Sequence, residues 1–174
     1  MDAVSKNQKQ RPSLLSEVLF LIGKILLIVI FIVLLGTLLF KGMRNTETGM
    51  LPAIKHGDLV LCYRLDKNYI FSDVIALKYE GEEQLRRVVA VAGDTVDITE
   101  DGLLINGGLQ QESEVLGDTL AYSDGIGFPV TVGEGQVFVL GDNREQALDS
   151  RWYGLVEIED TYGKAMLILR RRNI

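Results

Sequence analysis

Thr95-Val96-Asp97-Ile98-Thr99-Glu100-Asp101-Gly102-Leu103-Leu104-Ile105-Asn106-Gly107 is the stretch that decides the fold class. Val96 and Ile98 sit two apart before Asp101-Gly102, and Leu103 and Ile105 sit two apart after it. That spacing puts alternate side chains on one face of a strand. An Asp-Gly pair between two such runs is a strong hairpin signal. Asn106-Gly107 offers a second turn directly afterwards. Outward from this hairpin the same texture continues. Short apolar runs recur at Leu59–Tyr63, Val74–Tyr79, Arg87–Val91, Gln136–Leu140 and Lys164–Leu169, with turn residues between them. Eighteen glycines against three prolines suit a sheet with many tight turns. No long helical period follows Phe40. The expectation is a mainly β, antiparallel body, with residues 107–127 forming a loop or small insertion.

One segment breaks that texture. Ile25 to Phe40 carries no charge, and extension back across Lys24 to Val18 gives a continuous apolar stretch, 18–40. A bilayer core of about 30 Å takes roughly 20 helical residues, so this stretch reads as one N-terminal transmembrane helix. Lys24 lies near its N-terminal end, where the stem can snorkel towards headgroups. A cleaved secretory signal has a shorter apolar core and a small-x-small cleavage pattern. Here Phe40-Lys41-Gly42-Met43 follows instead, which favours an uncleaved anchor. Lys6, Lys9, Arg11 and Lys24 lean towards a cytoplasmic N-terminus, while Lys41 and Arg44 weaken the bias. The expected organisation is a cytoplasmic tail at 1–17, the helix at 18–40, and an extracytoplasmic β domain at 41–174.

Charge and composition exclude several functions. The chain of 174 residues has 18 Lys/Arg, 24 Asp/Glu and a formal net charge of −6. Its acidic body argues against nucleic acid, which needs a basic footprint. One cysteine, Cys62, cannot form an internal disulfide, and one histidine, His56, leaves no Cys/His metal cluster. No metal and no cofactor are expected.

Three further segments resemble the sequence boxes of the type I signal peptidases. Gly49-Met50-Leu51-Pro52, with Gly57-Asp58, is similar to the nucleophile box, Ser-Met-x-Pro followed by Gly-Asp. Arg86-Arg87-Val88-Val89-Ala90-Val91-Ala92-Gly93-Asp94 resembles the box that opens with the lysine base. Gly141-Asp142-Asn143-Arg144, with Asp149-Ser150-Arg151 and Gly154, resembles the third box, with eight matched positions inside 14 residues. The resemblance runs over roughly residues 15–170. It implies a membrane-anchored endopeptidase of mostly antiparallel β fold, in which a serine attacks the scissile carbonyl and a neutral lysine takes its proton. It also supports the orientation with the N-terminus inside.

The departures fall on the chemistry. The serine position is Gly49, which has no side chain to acylate. The lysine position is Arg86, whose guanidinium stays protonated near neutrality. The serine that orients the lysine is replaced by Ala147. Glu47 stands two residues before the nucleophile position, where a carboxylate would oppose a developing oxyanion. Thr48 adjoins the vacant position, but a shift of one residue turns a strand side chain to the other face. His56 reads as a turn residue and Cys62 as a small core residue.

Other positions carry expectations of binding or bracing. Met50, Leu51, Pro52, Trp152 and Tyr153 are candidates for lining a peptide cleft, against the alternative of burial. Gly141, Asp142, Asn143, Arg144, Asp149, Ser150 and Arg151 read as a structural motif that braces loops. Arg170–Arg172 offers either attraction to an anionic surface or a solvated tail. The resemblance further implies a catalytically degenerate, signal-peptidase-like protein of Gram-positive pilus assembly, a chaperone for pilin subunits that sortase joins. Its alternatives are an active signal peptidase with an unusual nucleophile and a membrane-anchored adaptor.

Overall fold

The computed structural model describes residues 14–170. The expected tail lies mostly outside them, as do Arg171 and Arg172. The chain divides into an N-terminal helical unit and a β body that begins at Leu39.

Helix α1 runs from Leu14 to Leu39, so it begins within the expected tail, 1–17, and holds all of the expected stretch 18–40 except Phe40. It has a mean hydropathy of 3.3 over its most apolar window, and is long and apolar enough to cross a membrane. Lys24 lies over the ring of Phe20, 4.4 Å from its centroid, so its cation is partly covered within the helix surface. Phe40, expected to close the helix, is instead the first residue of a strand.

The β body consists of two antiparallel sheets. Strands β1 (Phe40–Arg44), β2 (Leu59–Tyr63), β3 (Val74–Tyr79), β4 (Glu82–Val91), β9 (Gln136–Leu140), β10 (Val156–Glu157) and β11 (Thr161–Leu169) form a sheet in the order β1-β2-β11-β3-β4-β9-β10. Strands β5 (Thr95–Thr99), β6 (Gly102–Ile105), β7 (Gly108–Leu109) and β8 (Val130–Thr131) form a second, in the order β7-β6-β5-β8. The hairpin read from the sequence is present, with Val96 opposite Ile105 and Ile98 opposite Leu103. Its turn is Glu100-Asp101, since Gly102 already pairs with Thr99 and takes a φ of 117°. Asn106 and Gly107 both adopt positive φ, which produces the tight β6–β7 turn.

Strand β4 positions the site. Its first half pairs with β3 and its second half with β9, so it belongs to two neighbourhoods. Residues an odd number of positions apart in its middle face different clusters. Val88 packs with Ile75, Leu77, Val137 and Val139, while Leu85 packs with Met43, Met50, Ile54, Val60 and Cys62. A third cluster under the second sheet gathers Val89, Val96, Ile98, Leu103, Phe138 and Leu140. The region expected as a loop or small insertion carries β7 and then irregular chain. A bridge from Leu116 to Asn143 attaches that chain to the 141–147 loop.

Candidate functional site

Two loops meet beside β4. The first, residues 45–58, joins β1 to β2 and is folded by its own backbone. Asn45 donates to Asp58 O, Gly57 to Asn45 O, and Ile54 to Met50 O. The Asn45 side chain donates to the carbonyls of Glu47 and Lys55, and Asp58 accepts from Lys55 N–H. The Gly57-Asp58 pair is therefore the closing clip of this loop. The second loop, residues 141–149, leaves β9 and enters the short helix α2 (Ser150–Tyr153). Asn143 N–H donates to Gly49 O at 2.9 Å, and Thr48 Oγ1 donates to Gln146 Oε1 at 2.7 Å.

This docking brings together Gly49, Arg86 and Ala147. A Cβ built on Gly49 would sit 3.3 Å from Ala147 Cβ and 3.3 Å from Arg86 Nη1. Gly141 allows the approach, because a side chain there would overlap Ala147 Cβ and come within 2.6 Å of Gly49 O. The three positions thus share one point, although they are far apart in sequence.

What occupies that point is an ion pair. Arg86 has no exposed surface and grips Glu47 with both ends of its fork: Nη1 to Oε1 at 2.5 Å and Nη2 to Oε2 at 3.0 Å. Its remaining donors reach Leu148 O from Nε and Leu85 O from Nη1. Burial by itself lowers the guanidinium's hold on its proton. The hydrogen bond and charge of Glu47 outweigh that effect and leave the pKa above the ordinary arginine value. Arg86 is therefore a fixed cation and cannot act as a base. Glu47, taken from the sequence as a free carboxylate against an oxyanion, is the partner that holds this arginine in place. Complementary charges at both altered positions were the one available signal for the pair.

The rest of the third box braces the loop. Asp149 and Arg151 form a buried pair at 2.9 Å. Asp149 also caps α2 and accepts from Gly141 N–H. Arg151 donates further to the carbonyls of Arg144 and Leu120. Ser150 Oγ accepts from Val139 N–H. Asp142 takes both ends of Arg87, at 2.7 and 2.6 Å, which raises that guanidinium's pKa. Tyr122, which sequence reading did not single out, donates to Ala147 O and lies under Arg151, 4.5 Å from ring centroid to cation.

The remaining candidates scatter. Met50 is fully buried in the core beside Ile54 and Leu85, while Leu51 is half-buried and Pro52 exposed. Trp152 is 43% exposed and meets Tyr122 edge-on. Tyr153 packs on Tyr79 with centroids 4.4 Å apart, and burial raises its pKa. Thr48 is exposed and engaged by Gln146, and His56 is exposed in a turn with Nδ1 3.0 Å from Thr46 O. Cys62 is buried in β2, where desolvation pushes its thiol up to about 11. Arg170 reaches Ala53 O and the edge of Asp58. Among the described residues no group of His, Cys, Asp and Glu is arranged to hold a metal.

The profile described as Signal peptidase, peptidase S26, matches residues 18–170. The chain belongs to the signal peptidase family. It is 28% identical over 161 residues to signal peptidase I of Bacillus licheniformis, covering 83% of this chain and 84% of that protein. It is 32% identical over 135 residues to the probable thylakoidal processing peptidase 2 of Arabidopsis thaliana, of which it spans 35%. A signal peptidase I from Enterococcus faecalis V583 of known structure is 28% identical, covers 56% of this chain, and superposes with a TM-score of 0.46. In this signal peptidase-like chain, the place implied for serine and lysine thus holds a glycine and a paired arginine.

Proposed function

We propose that this protein is a non-proteolytic member of the signal peptidase family, anchored by α1 with the β body outside the membrane, that binds polypeptide. The observation that carries the reading is the bidentate Glu47–Arg86 pair packed against Gly49 and Ala147. Acyl transfer needs a nucleophile beside a group able to take its proton. Gly49 offers no nucleophile, and a guanidinium held by a carboxylate takes no proton. Thr48, the nearest hydroxyl in sequence, has its oxygen committed to Gln146 and no amine partner. The resemblance to degenerate members that accompany pilus loci points to pilin subunits joined by sortase as the partners, with strand addition as the mode of recognition.

Cleavage of a signal-peptide substrate by four proteins tests this: the parent, Gly49→Ser, Gly49→Ser with Arg86→Lys, and that double variant with Glu47→Ser. The parent and single variant are expected to be inert. The double variant should stay inert too, because Glu47 would hold the new ammonium protonated. Activity is expected only once Glu47 is also removed. Pilin polymerisation in cells carrying the parent should proceed. Turnover by the parent that survives Thr48→Ala, or polymerisation that requires the repaired site, would overturn the proposal.

A further inference from the structure

A second site lies away from the Glu47–Arg86 pair. Arg87, next along β4, points to the opposite side from Arg86 and borders a cavity of about 510 Å³. Its walls include Pro52, Phe71, Val89, Leu103 and Val115, and Arg144 lies among them. Arg144 is 3% exposed. One nitrogen, Nη2, meets Glu112 at 2.7 Å, while Nε and Nη1 are buried without any hydrogen-bond partner. Burial outweighs the attraction of Glu112, Asp149 and Asp142, and the guanidinium's pKa falls below the ordinary arginine value. This is a fixed cation short of acceptors at the wall of a cavity.

The charges around it choose the acceptor. Arg87 is already satisfied by Asp142 and by Ser72 O. Glu112 offsets Arg144, and Glu114 adds a further negative charge at the cavity wall. A free anion would enter a site with more carboxylates than guanidiniums. A neutral carbonyl oxygen accepts from the arginine without adding charge. The apolar walls call for a hydrocarbon group next to that carbonyl, and the volume suits a small ligand or a residue or two of a chain.

We infer that this cavity binds a short apolar segment of polypeptide, with a backbone carbonyl accepting from Arg144. Glu112 keeps the charge of Arg144 matched while the carbonyl binds. It sits on the irregular chain after β7, held by Arg144 and Thr119, and leaves Nε and Nη1 as the donors for the carbonyl. The inference gives a place to the polypeptide binding proposed above, and does not depend on the lack of proteolysis, since a chain with intact peptidase chemistry could carry the same cavity.

The probe is N-acetyl-leucine amide, titrated into the full-length, ¹⁵N-labelled protein in detergent micelles and followed at the Arg144 Nε–H resonance. Acetate is titrated in parallel. A saturable shift is expected at millimolar amide, with no shift from acetate. Arg144→Lys should weaken binding by about tenfold. Should that variant not fold, Val115→Trp fills the cavity from its outer wall and should abolish the shift. An absent shift, an equal shift in Val115→Trp, or tighter binding of acetate than of amide would each overturn the inference.

Discussion

Removing the carboxylate of Glu47 should cost the β body much of its stability. Arg86 is completely covered, whereas 30% of the Glu47 side chain remains exposed. In Glu47→Ala the guanidinium keeps its bonds to Leu148 O and Leu85 O and loses both carboxylate contacts. Breaking a fully buried pair costs about 3–5 kcal/mol. The two surviving carbonyl bonds and the partial exposure of Glu47 reduce this to roughly 2–3 kcal/mol. A body of this size shifts its melting temperature by roughly 3–5 °C per kcal/mol, so a fall of about 6–15 °C follows.

The opposite truncation should be milder. Arg86→Met leaves Glu47 able to turn towards water and fills the buried volume with an unbranched apolar chain, at a cost near 1 kcal/mol. The double variant Glu47→Ala/Arg86→Met should recover at least half of the loss seen in Glu47→Ala, because no charge is then stranded. Near-ultraviolet circular dichroism of the full chain in detergent follows the β body, since α1 contributes to the far-ultraviolet signal throughout. If Glu47→Ala melts within about 2 °C of the parent, or the double variant is no better than the single, the buried pair is not what holds this site together.

Three further outcomes are expected. Asp149→Ala and Arg151→Ala should each lose roughly 3–5 kcal/mol in thermal or urea melts, because each strands a fully buried charge and Asp149 also caps α2. Gly141→Ala should destabilise far more than Gly49→Ala by the same melts, since a Cβ at 141 would overlap Ala147 Cβ while one at 49 stays at 3.3 Å from its neighbours. Cys62, raised to about 11 by burial, should resist thiol reagents at pH 8 in the folded chain and react after denaturation. Its raised folded value also means that stability is complete below the unfolded thiol's pKa near 9.0 and falls by about 2–3 kcal/mol towards pH 11, as only the unfolded thiol ionises.

The strands legible in the sequence are those with apolar alternation in their own interiors. Leu59–Tyr63, Val74–Tyr79 and Gln136–Leu140 have the same ends in the structure as in the sequence pattern. Phe40–Arg44 was hidden because it continues an apolar helix without a boundary residue and then alternates lysine, glycine, methionine and arginine. The start of β4 was hidden because Glu82, Glu83 and Gln84 are polar, and are held there by pairing with β3 rather than by their own preference. Strands of two residues such as β8 and β10 exist only through their partners.

The same divide runs through the site. The absence of serine and lysine is a local fact, visible at Gly49 and Arg86 one residue at a time. The pairing of Glu47 with Arg86 is a fact about two residues 39 positions apart, and the sequence presents them as two separate defects. The fold makes them a single contact. An arginine alone at position 86 would leave a buried charge unmatched, and a glutamate alone at position 47 would face the pocket without a counter-ion. Each is tolerable only with the other. Here the loop after β1 and strand β4 meet in a satisfied contact, and the buried Asp149–Arg151 pair braces the neighbouring loop.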